Sequence, residues 1–160
     1  MHILMCNDDG ILADGLRQLA TYLSQYYRIT VVAPATEQSA KSHALTTEIP
    51  LKLDAYNGED ENPRLYALTG TPSDCMKFGL SYLLTDDMPD LVISGINHGF
   101  NLGSDVLYSG TVSAAMESCF YGIPGLALSV ERYSTERGNE MHPFIHDFIE
   151  KIYVNGKFDG

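Results

Sequence analysis

Short apolar runs alternate with helix-like patterns along this chain, and this alternation limits the possible folds more than any other feature. Apolar or β-branched runs predict buried strands at residues 2–6, 28–33, 90–94 and 126–130. Helical patterns and end signals predict helices at residues 16–26, 72–84, 112–121 and 142–154. Strands that alternate with helices form a mostly parallel sheet, so the sequence predicts one α/β domain over residues 1–160.

The segments between these elements are shorter or more polar. Two weaker strand patterns, at 51–55 and 64–68, flank an acidic and turn-rich connection that is predicted to be exposed. Polar loops are predicted at 35–47, 95–109 and 134–140. The second loop has glycine at every fourth position from Gly95 to Gly103, but it matches neither the phosphate-loop motif nor the dinucleotide fingerprint.

Charge and composition exclude several classes of protein. The formal net charge is -11, which argues against binding of duplex nucleic acid or of an anionic membrane surface through a basic face. No apolar run approaches the length of a membrane span. Cys6, Cys75 and Cys119 are widely spaced and odd in number, which favours free thiols and a cytoplasmic location over a disulfide framework.

An acidic turn follows the first predicted strand, where Asn7, Asp8, Asp9 and Gly10 precede a helix. Ligands of open α/β sheets bind beyond the carboxyl ends of the strands. Two adjacent carboxylates there repel each other unless a positive charge lies beside them, and a hard divalent cation would neutralise them. A solvated turn that caps the next helix is the alternative interpretation.

Three further segments follow strands or begin a helix near the same sheet edge. They contribute Ser39, Asn97 and the helix start Ser109-Gly110-Thr111. Free amides at a helix start bind anions, and carboxylate, hydroxyl and amide oxygens suit magnesium, manganese or calcium. Together these features predict a phosphate site beside a cation, with metal-activated water attacking phosphorus.

The chain resembles the SurE family of stationary-phase survival proteins and 5'-nucleotidases. Four motifs carry the resemblance: ILMCNDDG at 3–10, APATEQSAKS at 33–42, LTGTPSDC at 68–75 and SGINHGFNLGSDVLYSGTVSAA at 94–115. They occur in the family's order across most of residues 1–130. The resemblance implies a Rossmann-like, three-layer α/β domain.

The resemblance also implies an activity and a set of site residues. Asp8, Asp9, Ser39 and Asn97 match metal ligands for one Mg²⁺ or Mn²⁺ per subunit, and Asp8 and Asp9 match catalytic positions. Phosphate-binding positions are matched by Asn101, Ser109, Gly110 and Thr111. The implied reaction is hydrolysis of nucleoside 5'- and 3'-monophosphates, with short polyphosphate as a further substrate, in a homodimer or homotetramer.

Three departures from the family pattern stand out. Ala40 and Ser118 occupy positions where the family usually has glycine, and Ala40 lies within the predicted metal-binding loop. The sequence stops at Gly160, before the strands and the arm that family members use in assembly. The sequence therefore predicts a nucleotidase domain that lacks the family's C-terminal portion.

Several alternatives remain open at this stage. His43 and His98 are candidate proton donors to the leaving alkoxide. An aspartyl nucleophile would need a nearby lysine, for which Lys41 and Lys77 are the candidates. A receiver-like signalling module would also bind magnesium in an acidic pocket. His142 and His146, one helical turn apart, are interpreted as structural rather than as metal ligands, because no third ligand accompanies them.

Overall fold

The computed structural model describes residues 1–154, so residues 155–160 of the predicted domain lie outside the described part. Six strands form one sheet: β1 His2–Cys6, β2 Arg28–Pro34, β3 Leu53–Ala55, β4 Arg64–Leu68, β5 Leu91–His98 and β6 Gly125–Val130. Four α-helices flank it: α1 Asp14–Leu23, α2 Pro72–Phe78, α3 Gly110–Cys119 and α4 Thr135–Ile149. The predicted α/β class and mostly parallel sheet are confirmed.

The order of the strands is β3-β4-β2-β1-β5-β6, and only the β3–β4 pair is antiparallel. The chain fills the sheet outward from β1 toward β2 and β4, and then crosses back to place β5 on the other side of β1. The strand order therefore reverses between β1 and β5. At such a reversal the connections leave in opposite directions, which opens a crevice at the carboxyl ends of the strands.

The core has one apolar layer on each face of the sheet, because successive side chains of a strand point to opposite faces. Ile3, Met5 and Ile93 face α1 and α4. Leu4, Cys6 and Val32 face α2 and α3. Because the central strands are covered on both sides, they are almost continuously apolar. The result is the three-layer arrangement that the resemblance implied.

Several element boundaries differ from those predicted. Helix α1 ends at Leu23 instead of residue 26, and α2 ends at Phe78, after which a π-helical segment, Gly79–Leu83, continues almost to the predicted end at residue 84. Residues 134–140 were predicted to form a loop, but α4 begins at Thr135, because the Ser134 hydroxyl accepts a hydrogen bond from the Arg137 amide and caps the helix. Strand β5 runs on to His98 instead of ending at Ser94, and its pairing with β6 is irregular between Ser94 and Asn97. In this part of the chain no helix is both long enough and apolar enough to cross a bilayer.

Candidate active site

The acidic turn after β1 is held rigid by Asn7. Its Oδ1 accepts a hydrogen bond from the Gly10 amide over 3.1 Å, and its Nδ2 donates to the Gly10 carbonyl over 3.1 Å. Asn7 is fully buried, so these bonds satisfy a side chain that would otherwise be costly to bury. Asp8 and Asp9 are thereby fixed at the reversal point of the sheet.

The N-terminus of α3 packs directly against this turn. The Thr111 hydroxyl donates a hydrogen bond to Oδ1 of Asp8 over 2.6 Å. A side chain at Gly110 would bring its Cβ to 2.9 Å from the Cβ of Asp8, so only glycine allows this approach. The Ser109 hydroxyl caps the helix by accepting from the Val112 amide. The first amides of a helix have no intrahelical acceptor, so those of Gly110 and Thr111 are available to an acceptor outside the helix.

The loop at 35–47 carries Ser39 and is attached to the rest of the domain on several sides. The Gln38 amide donates to the Asp8 carbonyl over 2.7 Å, and the Ser42 amide donates to the Tyr108 carbonyl over 3.1 Å. Between these anchors the Ser39 hydroxyl donates to Oε1 of Glu37 over 2.8 Å. Because its hydrogen points at Glu37, the Ser39 oxygen keeps lone pairs for another ligand.

The end of β5 supplies the fourth segment. Nδ2 of Asn97 donates to the Gly99 carbonyl over 2.7 Å, which occupies the amide nitrogen and leaves Oδ1 as the atom available to a cation. Nδ2 of Asn101 donates to the Ser129 hydroxyl over 2.7 Å and has a second hydrogen for another acceptor.

These segments enclose a cavity of about 560 Å³ at the carboxyl edge of the sheet, within the usual size range of ligand pockets. Six of the predicted site residues line it: Asp8, Asp9, Ser39, Asn97, Asn101 and Ser109. Gly110 and Thr111 lie behind Asp8 and are buried, so their side of the helix reaches a ligand through backbone amides. The Thr111 hydroxyl itself is engaged with Asp8.

The electrostatics of this cavity favour a cation. Burial raises the pKa of Asp8, while the Thr111 hydrogen bond opposes that change. Burial also raises the pKa of Asp9, and the charges of Asp8 and Glu37 raise it further. Carboxylates that are buried beside one another in this way are stabilised by a divalent cation.

Two carboxylates, a hydroxyl and an amide oxygen form a hard donor set, so the residues present fit Mg²⁺ or Mn²⁺. In the described part of the chain, no cluster of three or more His, Cys, Asp or Glu side chains could hold a metal ion. A cation at this site would therefore also need the neutral oxygens of Ser39 and Asn97.

Comparison with known proteins identifies the family. The family model described as survival protein SurE matches residues 3–157. The chain belongs to the SurE family.

Individual SurE relatives agree with this assignment over nearly the whole chain. It is 48% identical over 156 residues to the 5'-nucleotidase SurE of Thermoanaerobacter sp. strain X514, an alignment that covers 98% of the chain and 61% of the relative. It is 48% identical to the 5'-nucleotidase SurE of Thermosipho africanus, in an alignment that covers 96% of the chain and 60% of the relative. The crystal structure of the SurE protein from Aquifex aeolicus superposes with a TM-score of 0.85 at 38% identity. The superposition covers 99% of this chain and 62% of the Aquifex aeolicus chain. The chain thus spans about three fifths of the length of these SurE proteins.

Within this SurE fold the two candidate proton donors take different positions. His98 lines the cavity beside Asp9, and its backbone opposes the rise in the pKa of that carboxyl. His43 does not line it; Nε2 of His43 lies 2.6 Å from Oε2 of Glu117, which is buried on α3. His142 packs against Tyr22 of α1, and His146 packs against Tyr26, three residues beyond the end of that helix.

An aspartyl nucleophile would need a nearby lysine, and neither candidate lies at the cavity wall. Neither Lys41 nor Lys77 is among the described residues that line the cavity, and Lys77 faces a separate pocket beside Phe78. The structure therefore gives no support to the covalent alternative.

Sequence reasoning missed four residues that line the cavity: Glu37, Phe100, Asp105 and Tyr108. Glu37 and Asp105 could have been found from the sequence, since each lies in a loop that also carries a predicted metal ligand or phosphate-binding residue. The two aromatic residues had none, because an exposed ring in a glycine-rich loop has no periodic pattern that separates it from a ring that packs locally.

Proposed function

We propose that this chain contains the catalytic domain of a metal-dependent phosphatase that hydrolyses nucleoside 5'- and 3'-monophosphates. The observation that carries the proposal is the meeting of four distant segments around one cavity, with a carboxylate pair beside the start of α3. The names of the SurE relatives support the same reaction class. Assembly into a homodimer or homotetramer and a cytoplasmic location stay predictions.

One divalent ion, Mg²⁺ or Mn²⁺, would be held by Asp8, Asp9, Ser39 and Asn97. When bound, it supplies charge neutralisation and an activated water for attack on phosphorus. The support is the hard donor set and the elevated pKa of both aspartates.

The residues of the chain divide the remaining work. The amides of Gly110 and Thr111 and the second hydrogen of the Asn101 amide donate to the phosphate oxygens, where charge builds up in the transition state. Ser109 holds the helix start in place through its cap. Asp9 orients the attacking water, since Oδ1 of Asp8 is already engaged with Thr111. His98, at the cavity wall, donates the proton to the leaving alkoxide.

Charge in the cavity favours a monophosphate over longer phosphates. Four carboxylates line it, those of Asp8, Asp9, Glu37 and Asp105. A single bound cation offsets only part of that charge, so each additional phosphate group would meet uncompensated repulsion. We therefore expect activity toward short polyphosphate to be much weaker than activity toward nucleoside monophosphates.

The decisive experiment measures phosphate release from AMP and GMP with added Mn²⁺ and with EDTA. Asp8→Asn should abolish turnover while the circular dichroism spectrum stays native. Asp54→Asn, at a carboxylate in β3 that is 48% exposed, is the matched control and should keep wild-type turnover. Normal phosphate release by Asp8→Asn, or release that EDTA does not affect, would refute the proposal.

A further inference from the structure

Two aromatic side chains border the mouth of the cavity and remain open to solvent. Phe100 is 54% exposed and Tyr108 is 65% exposed, and both line the same cavity as Asp9 and Asn101. Their rings do not stack on one another within the described structure, where all ring contacts involve other residues. An aromatic side chain held in water at a pocket wall provides a flat apolar surface for a planar ligand.

The backbone beneath both rings is firmly attached. On one side of Phe100 the Gly99 amide donates to the Val130 carbonyl over 2.8 Å, and on the other side Asn101 donates to Ser129 over 2.7 Å. Ser42 attaches the second ring's segment, since its amide donates to the Tyr108 carbonyl and its hydroxyl donates to the Leu107 carbonyl over 2.8 Å. The rings are therefore presented on fixed backbone, which lowers the entropy cost of binding a ligand to them.

The cavity combines polar and aromatic groups from different segments. The aspartates follow β1, whereas Phe100 and Tyr108 lie between β5 and α3, beside the polar residues Asn101 and Ser109. A ligand with an anionic end and an aromatic end could contact both at once. The cavity volume of about 560 Å³ is large enough for a molecule of this kind.

We propose that Phe100 and Tyr108 form a base-stacking subsite, so that this chain selects phosphate esters that carry an aromatic base. The inference rests on the proposed phosphatase function and adds a preference for the base of the substrate. The larger ring system of a purine covers more of an aromatic side chain than a pyrimidine does, so AMP and GMP are preferred to CMP and UMP. Stacking on protein aromatics is insensitive to which purine is bound, because every base has a π-face.

The test compares AMP with ribose 5-phosphate, which has the same ester linkage but no base. Phe100→Leu and Tyr108→Leu keep apolar volume and remove the ring. In the double variant, kcat/KM for AMP should fall by about 5- to 150-fold, mainly through KM, as expected for loss of base stacking. The fall for ribose 5-phosphate should be at least fivefold smaller. Tyr56→Leu, at a 50% exposed ring outside the cavity, controls for loss of a surface aromatic.

Equal falls for both substrates, or no fall for AMP, would overturn the subsite. Failure of the proposed function has a different signature, in which the wild-type chain releases phosphate from neither substrate. Calorimetric titration with AMP and with ribose 5-phosphate then decides the subsite by itself. Weaker AMP binding in the double variant, with a smaller change for ribose 5-phosphate, supports it, whereas unchanged AMP binding rejects it.

Discussion

The hydroxyl of Thr111 and the carboxylate of Asp8 form a 2.6 Å hydrogen bond between residues that are 103 positions apart. Both partners are buried, so the bond fixes the start of α3 against the acidic turn after β1. It also occupies one oxygen of the aspartate that is predicted to hold the metal. This contact therefore links the geometry of the proposed cation site to that of the proposed phosphate site.

Thr111→Val should lower the free energy of unfolding by about 1–3 kcal/mol, because it leaves the buried Asp8 oxygen without its donor. It should also reduce phosphate release, since Asp8 loses its orientation. Thr111→Ser restores the donor and should recover most of both losses. Thermal and urea unfolding followed by circular dichroism give the comparison; equal losses in the two variants would contradict the role of the hydroxyl.

Gly110→Ala should be strongly disruptive, because the added Cβ would lie 2.9 Å from the Cβ of Asp8 and 3.1 Å from Cγ of Pro72. Forcing these atoms apart costs about 1–3 kcal/mol of stability and displaces the acidic turn. The control is Gly58→Ala, where the nearest atom is 3.8 Å away. The midpoint of urea unfolding should fall for the first variant only.

Ala40→Gly should stabilise the protein. Ala40 has a φ angle of 57°, in the left-handed region that costs a residue with a Cβ about 1–2 kcal/mol. Glycine removes that strain but gains entropy in the unfolded chain, so the expected net gain is at most about 1 kcal/mol. Ala44→Gly, in the same loop and without a positive φ, should destabilise instead. A loss of stability in Ala40→Gly would show that the loop carries no strain there.

The effects of substitutions at His43 and Glu117 on the free energy of unfolding should be strongly coupled. Glu117 is only 5% exposed, so His43→Leu leaves a buried carboxylate without its partner and should cost about 1–3 kcal/mol. Glu117→Gln should suppress part of that cost, and the double variant should be less destabilised than the sum of the single variants. The exposed pair of Lys52 and Asp54 provides the comparison, where Lys52→Ala should cost under about 1 kcal/mol.

Stability should decrease as pH falls from 7 toward 5.5, in part through His2. Burial lowers the pKa of His2, and the charge of Arg28 lowers it further, although Asp87 opposes this. His2 in the unfolded chain therefore binds a proton at higher pH than His2 in the folded chain does. Its contribution to the free energy of unfolding is fully present above the pKa of histidine in the unfolded chain, about 6.5, and is lost as the pH falls below that value. His142 is shifted in the same direction by burial.

His2→Gln should flatten that dependence, since it removes one of the two shifted histidines. Free energies of unfolding by urea at pH 7.5 and pH 5.5 give the slope, with circular dichroism as the signal because the chain has no tryptophan. His146→Gln is the control, since it removes a histidine from the same helix that carries His142. An unchanged slope in His2→Gln would contradict the assignment.

Much of the fold followed from local patterns. Strands β1, β2 and β5 are almost continuously apolar because both of their faces are covered. The edge where their loops meet follows from parallel pairing. The start of α4 was misplaced because its first turns are polar and were therefore predicted as a loop, whereas the helix is capped by Ser134. The missed contacts, such as Thr111 with Asp8 and His43 with Glu117, join residues that no local pattern connects.

The order in which the cavity segments occur along the chain has a consequence for biosynthesis. During translation the acidic turn leaves the ribosome first, and the start of α3 follows more than 100 residues later. Until then Asp8 has no hydroxyl partner, and the site cannot assemble in any N-terminal fragment that stops before α3. Under the proposed function, phosphate release should first appear in fragments that extend beyond the start of α3, and it should appear abruptly because contacts between distant residues form together in a cooperative domain.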